Sequence, residues 1–245
     1  MEEKKRVYTF GNGKAEHYIN VAMDLSKKKK VFYRYNEFHR FLFFVNLQQC
    51  NITKMDYYIQ DLGEAAQAIR AKNSEVGHNF YTHITIDNAT RLEDICLSYA
   101  ATLYRQTELG KNWKGTDVTT IPRGAGYKYL RDAVKKVIDM FKDLCDEFIL
   151  VGHVKDSITE KDGEEVNAKE IDLVGKLGKI ICGMADAVGY VYRKGNETHI
   201  SFKGGEGETI MEARARHIAG KDIVIATGNE DGSIVTYWDR IYKHE

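Results

Sequence analysis

Proline is almost missing from this chain: Pro122 is the single one among 245 residues, against 21 glycines, so glycine must supply most of the chain reversals. Paired cysteine spacing is missing too. Cys50, Cys96, Cys145 and Cys182 stand far apart with no C-x-x-C among them, which predicts reduced, mostly buried thiols and a cytoplasmic protein. There is no charge excess of either sign, because Lys plus Arg and Asp plus Glu balance at 36 each, so nucleic acid or membrane could be recruited only by a local patch. No apolar run approaches the roughly 18 residues of a membrane span. The longest, Phe41 to Val45, is cut off by Asn46 and Gln48, and a soluble protein without membrane contact is expected. Several catalytic templates are also lacking: H-E-x-x-H, the G-x-S-x-G elbow, zinc spacing, and a G-x-G-x-x-G where a dinucleotide fold needs one.

What is present is a globular α/β pattern, with 43% hydrophobic residues. Val31 to Val45 holds two β-rich runs around Asn36-Glu37, read as a strand pair, with the lysine run 27–30 as its solvated edge. Asp61 and Glu64 form a capping pair ahead of Leu62, Ala65, Ala66 and Ile69, which predicts a helix ending near Lys72. Phe80 to Asp87 reads as a strand that stops at a carboxylate. Thr90 and Glu93 form a second capping box, and Leu92, Ile95, Cys96, Tyr99 and Leu103 put one apolar stripe on the helix behind it. Residues 107–129 have no steady period and read as a long surface loop. Leu130, Val134, Val137, Ile138, Phe141 and Leu144 then mark an amphipathic helix, and EFILVGHVKD a continuous apolar strand of the kind found at the centre of a sheet. The order strand, helix, strand, helix, strand is the doubly wound pattern. Residues 157–170 read as a charged loop, and Ile171 to Met184 as a helix despite three glycines. The last sixty or so residues read as hairpins around Lys194-Gly195-Asn196 and around Gly228 to Gly232, extending the sheet in an antiparallel sense.

In an open α/β sheet, ligands gather at the carboxyl ends of the strands. Asp87 lies on such an end, trailed by Asn88, in the form of a Walker B strand whose carboxylate orients magnesium-bound water around nucleotide phosphates. His153 ends the neighbouring predicted strand, where it could sense a γ-phosphate or position an attacking water. A carboxylate capping a strand is otherwise a turn residue, and a lone histidine otherwise structural.

The run ITIDNATRLEDICLSYAATLYRQ, the later ILVGHVKD, and DLVGKLGKIICGMADAVGYVYR followed by EARARH together resemble the phage-type AAA-domain family of RecA-like P-loop NTPases, over about residues 56–238. The resemblance implies a RecA-like fold, a mostly parallel central sheet flanked by helices. It also implies ATP and Mg2+ as cofactors, a role in DNA recombination or replication, and a possible homo-oligomer. It makes Asp87 the magnesium-side carboxylate and His153 the sensor-strand residue. Arg214 and Arg216 become the basic pair that reaches phosphate, across a subunit boundary or within one chain; the alternative is a solvated helix face.

The pattern breaks at the amino end. A P-loop, G-x-x-x-x-G-K-[ST], curls successive backbone N–H groups around the phosphates. Gly13-Lys14 is present, but Tyr8 holds the first glycine position and Ala15 the hydroxyl position. GNGK therefore reads as a tail or turn, with Lys14 the only residue there to meet a phosphate. The first 16 residues resemble the start of pyruvate phosphate dikinase, and the match stops there. The expected division is an atypical segment 1–55 with a degenerate P-loop, followed by a nucleotide-binding core 56–245. Without a Glu directly beside Asp87, hydrolysis lacks a water-activating base. A second reading is a non-catalytic scaffold that binds single-stranded DNA through Lys111, Trp113, Lys114, Arg123 and Tyr127, or binds a protein partner.

Overall fold

The structure, a computed structural model, describes residues 18–24, 29–35, 42–46, 55–161, 164–204 and 211–242. The chain divides into two compact units, 1–153 and 154–245.

The first unit is α/β. Its sheet comprises β1 (Tyr18–Asp24), β2 (Lys29–Tyr35), β3 (Leu42–Asn46), β4 (Tyr81–Asp87) and β5 (Cys145–Val151) in the order β2-β1-β3-β4-β5. β1, β3, β4 and β5 run parallel, and β2 is antiparallel to β1 at one edge. The segment 1–55 thus supplies three strands to the sheet that holds β4 and β5. Between the strands lie α1 (Met55–Val76), α2 (Ala89–Arg105) and α3 (Gly126–Lys142), with α2 packed against both α1 and α3. The apolar stripes are the cause of this layer. Leu62, Ala65 and Ile69 of α1, Leu92, Ile95 and Cys96 of α2, and Leu130, Val134, Val137 and Phe141 of α3 are all buried, as are Ile84 and Ile86 of β4. Fully burying one Leu or Ile contributes about 1.5–3 kcal/mol, so this set dominates the stability of the unit.

Four expectations change here. The two strands read within Val31 to Val45 exist but are not partners, because each pairs with β1 instead. The capping pair at Asp61 does not start a helix: α1 begins at Met55 and runs on to Val76, and Asp61 is buried inside it. Asn88, not Thr90, caps α2. The apolar strand β5 lies at the end of the sheet order, with Val151 39% exposed, so its continuous apolar text does not mark a central position.

The second unit begins with β6 (Val154–Lys161) and β7 (Glu164–Ile171), which form an antiparallel ribbon in the register Val154↔Ile171 to Lys161↔Glu164. The charged loop expected over 157–170 is therefore a hairpin. The helix expected from Ile171 shortens to α4 (Leu177–Met184), since Gly175 takes φ +56, a left-handed conformation that ends regular structure. Next come β8 (Ala187–Val188), β9 (Tyr190–Lys194), β10 (Glu197–Ser201), β11 (Glu212–Ala213), β12 (Asp222–Gly228) and β13 (Ile234–Thr236). Both expected hairpins form. They do not extend the parallel sheet, however; they build a separate antiparallel one, β13-β12-β10-β9, over a core of Phe202, Ala213, Ile218, Ile225 and Ile241. Away from that core, His199 stands between Asp222 (3.0 Å) and Glu197 (3.2 Å) and stacks on Tyr192. Burial alone would raise the Asp222 carboxyl, but the bonds from Tyr192 and His199 outweigh it and hold it below the usual range.

Candidate functional site

β4 and β5 are adjacent and parallel, and their register sets Asp87 opposite Val151. Two residues past Val151 the chain reaches His153, so the carboxylate at 87 and the imidazole at 153 leave the same rim of the sheet. Asp87 is half-buried. The Asp87–Asn88 peptide bond is cis.

Asn88 joins the two strand ends. It is 4% exposed and extended (φ −135, ψ 170), and its Oδ1 accepts from the backbone N–H of Arg91 at 2.9 Å, which caps α2. Its Nδ2 lies 2.9 Å from His153 Nε2. Around this bond is a shallow pocket of about 220 Å³, lined by Asn88, Thr90, Arg91, Asp94 and His153. The Arg91 guanidinium donates to Asp94 at 2.9 Å along the same turn. The pocket therefore combines a helix N-terminus and one imidazole with a cation that the Asp94 carboxylate already pairs, and its attraction for oxygen atoms of an anion rests on the helix N-terminus and His153.

Arg91 and Asp94 carry no functional signal in the sequence, and Thr90 reads there only as part of a capping box. The available signal was position alone: they occupy the first two turns of a helix that follows a strand-end carboxylate.

Other candidates lie elsewhere. Gly13 and Lys14, with the dikinase-like opening, fall outside the described residues. Arg214 and Arg216 are exposed in the second unit, in the bend and turn that follow β11 and not on a helix. Arg214 is engaged there, donating to Asp186 at 2.9 Å. The loop expected over 107–129 ends sooner, because residues 126–129 form the first turn of α3 and two short helical turns, Val118–Thr120 and Pro122–Gly124, precede it. In that segment Trp113 is half-buried, edge-on to Tyr104 at 5.4 Å, with the Arg105 guanidinium 5.5 Å from its ring. Lys111 pairs with Glu108 at 2.7 Å, while Lys114, Arg123 and Tyr127 are exposed. That loop is a packed structure in which the tryptophan already has its partners.

Mg2+ commonly binds through one or two carboxylates, with phosphate oxygens and waters completing its octahedron. Asp87 at the strand end fits the protein's share of that set. Among the described residues no group of three or more His, Cys, Asp or Glu forms a fuller cage. No helix among them is long and apolar enough to cross a membrane.

Neither a curated protein nor a solved structure matches the chain. A family model described as AAA domain matches residues 24–227, a span that starts downstream of Gly13 and Lys14 and takes in β4, β5 and the whole pocket. AAA domains are nucleotide-binding, ATPase-like modules of the P-loop class, and with most of its length matched, this chain belongs to that AAA-domain family.

Proposed function

We propose that the chain is a RecA-like nucleotide-binding protein of phage type that takes Mg-ATP at the rim formed by the ends of β4 and β5. The observation that carries this reading is the adjacency of Asp87 and His153 on parallel neighbours, tied by the Asn88–His153 bond at 2.9 Å. In this reading Asp87 would hold magnesium through its bound water, and the ion would supply charge neutralisation for the phosphates. His153 meets the terminal phosphate, and the backbone N–H groups at the start of α2 add positive potential. The family resemblance would bring Arg214 and Arg216 to phosphate from a neighbouring copy of the chain, which for Arg214 means leaving its bond to Asp186.

Binding is proposed ahead of hydrolysis. Asp87 has Ile86 and Asn88 as its neighbours, with no Glu to activate water, and Lys14 is the one P-loop-like cation in the sequence. A role in DNA recombination or replication rests on the family resemblance. Binding of single-stranded DNA through the 107–129 loop loses support from the packing of Trp113.

Isothermal titration of the full chain with Mg-ATP tests the reading, beside Asp87→Ala and His153→Ala. The native chain should give a saturable heat, and Asp87→Ala should weaken binding at least about tenfold, equivalent to ~1.4 kcal/mol. No heat from the native chain removes the nucleotide claim.

A further inference from the structure

The hydrogen bonds around Asn88 fix the proton on His153. The backbone N–H of Arg91 can only donate, so the atom of the Asn88 amide that meets it at 2.9 Å must be the oxygen. The NH2 end of the amide then faces His153, and an amide NH2 also only donates. The ring nitrogen it meets, Nε2 at 2.9 Å, must be the acceptor. In a neutral imidazole one nitrogen accepts and the other carries the hydrogen, so the hydrogen stands on Nδ1. A free histidine side chain in water favours the opposite tautomer, with the hydrogen on Nε2. The alternative at Asn88, a flipped amide, would set its NH2 against the Arg91 N–H and forfeit the cap of α2.

We propose that Asn88 is a positioning residue that locks His153 in the Nδ1–H tautomer, so that His153 serves the pocket as a hydrogen-bond donor from Nδ1 and not as a base at Nε2. The lone pair of Nε2 is already committed to the Asn88 NH2, and a proton placed there would set two donors face to face. Its consequence for function rests on the nucleotide reading above. Where the pocket takes a phosphate, Nδ1–H is the one ring N–H that neutral His153 has to offer a phosphoryl oxygen. A water attacking that phosphate cannot pass its proton to Nε2. Of the two roles open to His153, sensing and water activation, the lock selects sensing.

The test is a long-range proton–nitrogen NMR spectrum of the full chain, labelled with 15N in the histidine rings, in mildly alkaline buffer without nucleotide. The signal that disappears in His153→Gln assigns the ring. The expected native result is a protonated-type Nδ1 and an unprotonated-type Nε2. Asn88→Asp retains a good capping oxygen for α2 but presents only acceptors, so His153 should move its hydrogen to Nε2, with an unchanged circular dichroism spectrum showing that the fold persists. A native ring with the hydrogen on Nε2, or an Asn88→Asp ring that matches the native one, overturns the lock. The spectra contain no nucleotide, so the two claims fail separately. Silent Mg-ATP titration removes the phosphate role and leaves the tautomer standing, whereas a wrong tautomer with intact Mg-ATP binding removes the lock alone.

Discussion

Asn88 serves two purposes with one amide, and this makes it the residue whose loss should be felt in stability as well as in the pocket. Its oxygen satisfies one of the donors left open at the start of α2, and its nitrogen fills the acceptor on His153. Asn88→Ala removes both bonds from a site that is 4% exposed. Loss of an N-cap costs about 1 kcal/mol, within a range of about 0.5–2, and Asp in the same place restores a capping oxygen. Urea unfolding should thus rank the chains native, then Asn88→Asp, then Asn88→Ala, with Asn88→Ala lower than native by about 1–2 kcal/mol. Equal midpoints for native and Asn88→Ala would show that the cap contributes nothing. The sequence alone exposed half of this arrangement. Asp87 and His153 were readable because each is polar at the end of an apolar run. The Asn88 bond was not, since its partners are 65 residues apart and their meeting depends on the register of β4 with β5.

At the scale of elements, the loop between α2 and α3 shows how glycine fixes a long connection. A Cβ on Gly110 would lie 2.0 Å from the Tyr104 backbone oxygen, and one on Gly126 would lie 1.6 Å from the Val118 backbone oxygen. Both obstacles are backbone, so no rotamer change relieves them. The close approach at Gly126 seats the short helical turn at Val118, fully buried, against the first residue of α3. Gly126→Ala should therefore destabilise the first unit by about 2–3 kcal/mol or more through overpacking, even though alanine is the better helix former by about 1 kcal/mol. Thermal melting by circular dichroism reads the difference, and a melting point at or above native would refute the packing argument. The same scale explains which elements the sequence revealed. Stripes such as Leu130, Val134, Val137 and Phe141 announce a helix because burial follows their spacing. The β6–β7 ribbon went unseen because its two strands are mostly polar and charged, so the alternation that marks a half-buried strand is faint. Ile158, 68% exposed, has no core to face. The continuous apolar text of β5 indicated burial without indicating sheet order, which is set by pairing with β4 alone.

For the whole molecule, the buried thiols give a measure of folding that depends on pH in a definite direction. Cys96, Cys145 and Cys182 are free and buried, the first two in the core of the first unit. Burial pushes the Cys145 thiol up to about 12, with the bond involving the Ile84 backbone opposing it and the carboxylates of Asp146, Glu147 and Asp143 adding to it. Burial raises Cys96 as well, helped by the charge of Glu93. An unfolded thiol ionises near about 8.5. Below that pH both states hold the proton and these cysteines add their full share of stability. Above it the unfolded chain releases protons that the folded chain keeps, so stability falls by about 1.4 kcal/mol per pH unit for each such thiol. Cys145→Ala removes one of these slopes. It should be less stable than native at neutral pH, because it loses packing in the core, and the gap should narrow as pH rises from about 8.5 towards about 10. Urea unfolding of both chains across that window, with alkylated peptides identified by mass spectrometry so that each cysteine is followed separately, reads the effect directly. Curves that stay parallel with pH would mean that the Cys145 thiol ionises as readily inside the fold as outside it, and the claim that burial holds its proton would fail.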